Sequence, residues 1–269
     1  MSSPTKKQAG RPTASRWQTY EFPLNERVRT FMRLEHLFAR VQRHAQGTDP
    51  WDSHAALTGL LEILAILGRG DVRSDVLREM ERQGQTLGRL KNRDGVDSTR
   101  LGAILENLEK LRVRLDASEA QVGRNLKANE LISALKQRSA IPGGTCGFDL
   151  PALQHWLSLP AETRREQLDH WLNELGALNR SVRLVLMLLR ESAAPSTETA
   201  ENGMFHRNLE SGAAYQLIRV QIEEGVHAFP EISGGKHRFT VRFLEQPDIA
   251  QRPRAVQRDI AFQLVCCQL

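Results

Sequence analysis

The sequence predicts an α+β protein, an N-terminal all-helical domain followed by an antiparallel β-sheet domain. Apolar residues recur at three- and four-residue spacing from about residue 25 to 192, whereas toward the C-terminus they alternate with polar ones. The 269 residues are 40% hydrophobic and 26% charged, which is normal for a folded soluble chain and, at roughly 100–200 residues per domain, leaves room for two. No repeat of about 20–50 residues points to a solenoid or propeller.

Residues 1–16 read as a disordered basic tail with Lys6, Lys7, Arg11, Arg16 and no acid. Residues 17–24 read as a short extended segment ended by Pro23, after which Asn25 supplies a capping side chain. The helical domain spans 25–192. Its first helix runs to about Gln46, with Val28, Phe31, Leu34, Leu37, Phe38 and Val41 facing inward. Arg29, Arg33 and Arg40 fall within about 40° of each other on another side, a basic stripe whose plainest explanation is a wetted face. WDSHAALTGLLEILAIL stops at the GRGD turn, and Asp71 or Ser74 opens a charged helix carrying Val76, Leu77, Met80 and Leu87. Leu101, Ile104, Leu105, Leu108, Leu111 and Leu115 then form the seam of a helix packed on another, within the chain or across a dimer. One further helix is expected over Leu126 to Arg138, followed by the loop IPGGTCGF. Pro151 begins the next helix, and two more cover Pro160 to Leu175 and Leu178 to Glu191.

SAAPSTETAENG reads as a polar separator, and the antiparallel β domain is expected over 204–267. Ile218, Val220 and Ile222 alternate with Leu217, Arg219 and Gln221; Phe239, Val241 and Phe243 alternate with Arg238, Thr240 and Arg242. Pro230 suits an edge or bulge, Ser233-Gly234-Gly235-Lys236 a tight turn, and Ile260, Phe262 and Leu264 one face of the last strand. A meander with one wet face is the simplest outcome.

The charge of +5 and pI near 9.4 invite a nucleic-acid reading, in which the basic tail and arginine stripe would hold phosphates. The distribution weakens it. The tail carries +4, and the remaining 33 basic residues face 32 acidic ones, so the folded body has no excess with which to coat a backbone. No run approaches the ~18–20 apolar residues of a membrane span. Three cysteines, Cys146, Cys266 and Cys267, make a poor disulfide framework and point to a reducing cytoplasm.

Catalytic constellations score poorly. Gly68-Arg69-Gly70 and Gly143-Gly144 lack the spacing of a phosphate-cradling loop, so no cofactor is expected. Adjacent Cys266 and Cys267 face opposite sides of a strand and are ill placed to share a metal. Cys146 with His155 or His170 would be the thiol–imidazole pair of a hydrolase, but after a double glycine it reads better as a small packed residue. What remains is cations on two elements: the helix stripe, and Arg238 with Arg242 on one strand face, roughly 13 Å apart, with Lys236 at the adjoining turn.

The order FPLNERVRTFMRLE, GRGDVRSDVL, IPGGTCGFDLPALQHWL, FPEISGGKHRFTVRF and a terminal FQLVCC resembles the ZapD family, from about Tyr20 to Cys267. The resemblance implies a cytoplasmic division protein with no enzymatic activity, acting at mid-cell. It also implies a β domain joined by the N-terminal extended segment, and a homodimer that inserts into no membrane. Family members hold the C-terminal tail of FtsZ in a positively charged pocket, and the dimer bundles filaments at the Z ring. Carried onto this chain, the tail-binding residues are Arg29, Arg33, Lys236, Arg238 and Arg242, with Arg69, Arg73, Lys127 and His155 as further candidates. The family pattern places a histidine at position 154, where this chain has Gln154 followed by His155, and a more basic residue at position 130, where Glu130 stands.

Overall fold

Five of the helix starts are written by side chains that satisfy otherwise orphaned amide donors. In the computed structural model, which describes residues 17–91, 93–117 and 122–269, Asn25 Oδ1 accepts from the Val28 N–H at 2.9 Å. Asp49 accepts from Trp51 with Pro50 in the first turn, and Asp71 from Ser74. Asp97 accepts from Thr99 and Arg100. The basic tail expected over 1–16 lies outside the described residues.

The elements in chain order are β1 (Trp17–Pro23), α1 (Glu26–Ala45), α2 (Pro50–Leu67), α3 (Val72–Gly88), α4 (Ser98–Asp116), α5 (Arg124–Ala128), α6 (Glu130–Arg138), α7 (Pro151–Ser158), α8 (Ala161–Glu174), α9 (Gly176–Arg190), β2 (Ser196–Ala200), β3 (Met204–Asn208), β4 (Tyr215–Glu223), β5 (Phe229–Gly234), β6 (Arg238–Glu245), β7 (Arg254–Ala255) and β8 (Ile260–Gln268). The described residues divide into two units, one running from Asn25 to Ser192 together with Leu269, the other made of the residues up to Leu24 and of Ala193–Gln268.

In the helical unit, α9 packs against α1, α3, α4 and α8, and α1 lies along α2. Every apolar residue predicted to face inward on α1 is buried. Along α4, Leu101, Leu108, Leu111 and Leu115 are buried by packing on α3 and α9, so most of this seam closes within the chain, with Ile104 and Leu105 half-buried. The single helix expected over Leu126 to Arg138 is two. Asn129 adopts an extended backbone, φ −70° and ψ 125°, and its side chain caps α6 by accepting from the Ile132 N–H.

The β unit departs from the expected meander. One antiparallel sheet has the order β1-β4-β8-β2, the other β3-β6-β5 with β7 pairing β6. Inward residues of both sheets meet in one core of Ile218, Val220, Ile222, Phe239, Val241, Phe243, Ile260, Phe262 and Leu264, a two-sheet sandwich. Phe262 stacks edge-on against Phe205 at 5.3 Å and lies 5.4 Å from Phe243, and each buried ring contributes about 2–3 kcal/mol. The polar separator is structured too. Ser196–Ala200 within it pairs with β8, and Met204–Asn208, just beyond it, pairs with β6. Between them Asn202 and Gly203 both take positive φ, 48° and 74°, the conformation of a tight hairpin turn. A side chain at Gly203 would meet the Val256 carbonyl at 2.6 Å.

Candidate protein-binding surfaces

The helical row is largely engaged by neighbouring acids. Arg29 Nε donates to Glu26 at 3.0 Å and Arg40 to Glu62 at 2.6 Å. Arg33 is exposed and has no ion-pair partner among the described residues. The stripe is therefore a string of exposed pairs around one uncompensated guanidinium, and exposed pairs contribute only about 0–1 kcal/mol each.

On the β unit, pairing and alternation place Arg238, Thr240 and Arg242 on the outer face of β6, opposite the phenylalanines of the core. The register sets Met204, Arg242 and Glu231 in one row across the sheet and His206, Thr240 and Ser233 in the next; Asn208 lies beside Arg238 in the third. Arg242 donates to Glu231 at 3.1 and 2.5 Å. Arg238 and Lys236 are exposed and have no acidic partner among the described residues. Lys236 sits in the β5–β6 turn, closed by the Gly235 N–H donating to the Arg238 carbonyl at 3.0 Å. Arg238 lines a trough of about 560 Å³ walled by His206 and Asn208 from β3 and by Ser233 and Gly234 from β5. The trough's donors are mostly neutral, with one uncompensated cation, a composition suited to receiving a carboxylate.

The further candidates fall into two groups. Arg73 is occupied as a cap for α4, donating to the Leu115 carbonyl at 3.0 Å, the Asp116 carbonyl at 2.6 Å and the Asp116 carboxylate at 2.8 Å. Arg69 is exposed beyond the end of α2, Lys127 is half-buried on α5, and His155 is exposed on α7 beside exposed Gln154. Glu130 occupies the first turn of α6, where a carboxylate is favoured by the helix dipole.

No thiol–imidazole pair forms among the described residues. The Cys146 thiol, half-buried rather than packed away, lies 3.6 Å from Asp149 Oδ2, while His170 Nε2 sits 3.9 Å from Glu174. His54 reaches the loop, its Nε2 lying 3.2 Å from Thr145 Oγ1, and burial lowers its pKa from the usual value. Burial likewise pushes the Cys266 thiol up, against the opposing pull of Arg207. Among the described residues, no three His, Cys, Asp or Glu side chains gather into a metal-binding group, and no helix is long and apolar enough to cross a membrane.

His206 and Asn208 were not among the predicted site residues, because their short polar strand, just beyond the presumed separator, shows little apolar alternation. The signal was present in Asn202-Gly203, the dipeptide of a primed hairpin turn.

Fold and surface together define a two-unit α+β protein that displays uncompensated cations on solvent-facing elements. The ZapD family model, described as a cell division protein, matches residues 32–242. A cell division protein ZapD of Methylococcus capsulatus is 42% identical over 250 residues, covering 93% of this chain and 98% of that protein. One of Dechloromonas aromatica is 39% identical over 251 residues, covering 93% and 99%. The chain belongs to the ZapD family of cell division proteins.

Proposed function

We propose that this chain is a cytoplasmic adaptor acting at the mid-cell division site, which binds the C-terminal tail of FtsZ and, as a homodimer, cross-links FtsZ filaments to stabilise the Z ring. The observation that carries the reading is the presence of exposed guanidinium and ammonium groups without acidic partners among the described residues, Arg33 on the helical unit and Lys236 and Arg238 on the β unit, in a chain of this family. Arg29, Arg33, Lys236, Arg238 and Arg242 receive tail carboxylates, and Arg69, Lys127 and His155 are the secondary candidates. Guanidinium groups give bidentate, charge-assisted hydrogen bonds to carboxylates. Arg29 and Arg242 exchange an exposed intramolecular partner, Glu26 or Glu231, for one on the tail at little net cost.

Exposed pairs are weak singly, so one tail binds weakly and its binding falls with salt. A dimer meeting a filament with many tails gains from effective concentration, and cross-linking is strong although single contacts are not. The test is sedimentation of FtsZ filaments with this protein at low and moderate salt, beside an FtsZ lacking its C-terminal tail. Co-pelleting that requires the tail is expected; pelleting with the tail-less filament, or none with either, would overturn the reading.

A further inference from the structure

The two edges of the β3-β6-β5 sheet differ in what their backbones can offer. In the β3–β6 ladder, the Phe243 N–H donates to the Gly203 carbonyl at 2.8 Å and the Leu209 N–H to the His237 carbonyl at 2.8 Å. Antiparallel ladders alternate hydrogen-bonded and non-hydrogen-bonded pairs, so Phe205 and Arg207 bond inward to β6. His206 and Asn208, paired in register with Thr240 and Arg238, turn their N–H and C=O groups outward along the free edge. No backbone partner takes those groups among the described residues, and both residues are exposed. On the opposite edge the same parity turns Pro230, Ile232 and Gly234 outward; proline has no N–H to donate and Ile232 is half-buried, which blunts that edge at its start.

The side chains of His206 and Asn208 also wall the trough that holds Arg238, and His206 Nδ1 lies 3.0 Å from Thr240 Oγ1, which fixes its ring over the sheet. An extended segment lying along β3 would place every second side chain on this face, beside Asn208 and the uncompensated Arg238. Hydrophobic residues would gain little there, whereas an acidic side chain meets both a cation and neutral donors. We infer that the β3 edge receives an extended acidic peptide as an added strand, its backbone bonded to His206 and Asn208 and its alternate carboxylates held at Arg238. This mode rests on the FtsZ-tail reading above and names how the β unit would take that tail; strand addition gives affinity through the main chain and selectivity through alternate side chains.

The test is fluorescence anisotropy of a labelled synthetic FtsZ C-terminal tail peptide with the full chain, using versions N-methylated at one backbone amide at a time. Period-two sensitivity is expected: methylation at alternate positions weakens binding roughly five- to tenfold, and methylation between them leaves it unchanged. His206→Pro removes an outward donor while sparing the β6 ladder and is expected to weaken the peptide similarly; the methylation series on the unaltered protein decides the matter if this variant does not fold. Tight binding with no such periodicity would overturn strand addition and leave the tail reading intact. Failure of the unmodified peptide to bind would overturn both. Loss of self-association in folded His206→Pro, with peptide binding unchanged, would assign the edge to a second copy of the chain and overturn the inference.

Discussion

The arginines inside the helical unit and those on the outer face of the β3-β6-β5 sheet carry the same charge but do different work. Arg164 is 4% exposed and its guanidinium donates to Ser53, the Leu157 and Leu159 carbonyls and the Thr48 carbonyl, tying the α1–α2 connection to the end of α7. Arg190 makes a two-pronged bond to Glu35 at 2.8 and 2.7 Å, and Arg27 and Arg82 both reach buried Glu79. Arg238 has no acid to answer it among the described residues. A guanidinium held by buried or half-buried carbonyls and carboxylates is structural, one paired with an exposed acid can exchange it, and one left uncompensated at the surface retains its full attraction for a partner.

Substitution should separate the two classes by size and by readout. Arg164→Met removes a buried guanidinium that holds the Ser53 hydroxyl and three part-buried carbonyls and should destabilise the helical unit by about 3 kcal/mol, read by urea unfolding; a loss below about 1 kcal/mol would move Arg164 into the surface class. Arg190→Met, breaking a half-buried fork, should cost about 1.5 kcal/mol by the same measurement. Arg238→Met should change stability by less than about 0.5 kcal/mol while weakening the FtsZ tail peptide, and a destabilisation comparable to Arg190→Met would erase the distinction.

The smallest effect concerns a side chain whose cationic form burial disfavours. His54 has a folded pKa below its usual value because of desolvation. The unfolded state therefore binds more protons as pH falls through the unfolded value, and the stability His54 contributes, complete above that value, declines below it. His54→Gln should flatten the loss of stability just below pH ~6.5, and an unchanged acid limb would show that other groups set it.

The long helices were legible because each buries a stripe, whereas the short α5, burying only Leu126, was not separated from α6. Val28 to Val41 on α1 announce their face, and Asn25 and Asp97 announce their starts. The central strands were legible for the same reason, since Phe239, Val241 and Phe243 are all buried. β2 and β3 were not. They are edge strands rich in polar side chains, so periodicity had little apolar contrast to report, and the Asn202-Gly203 turn was the sole local cue. The sandwich was hidden because the order β1-β4-β8-β2 joins strands distant in sequence. Alternation identifies an inward face without saying which sheet lies across from it. The candidate cations could be read as residues but not as free or occupied. That distinction depends on partners such as Glu62 for Arg40, or the α4 carbonyls for Arg73, brought together by packing.

The most direct test of the uncompensated-cation account is light scattering of polymerised FtsZ with wild-type protein and with Arg238→Glu, after circular dichroism and sedimentation have shown the variant folded and associated like the wild type. Bundling should be lost in Arg238→Glu while fold and self-association persist; bundling at wild-type level by the folded variant would show that the uncompensated Arg238 is not the contact.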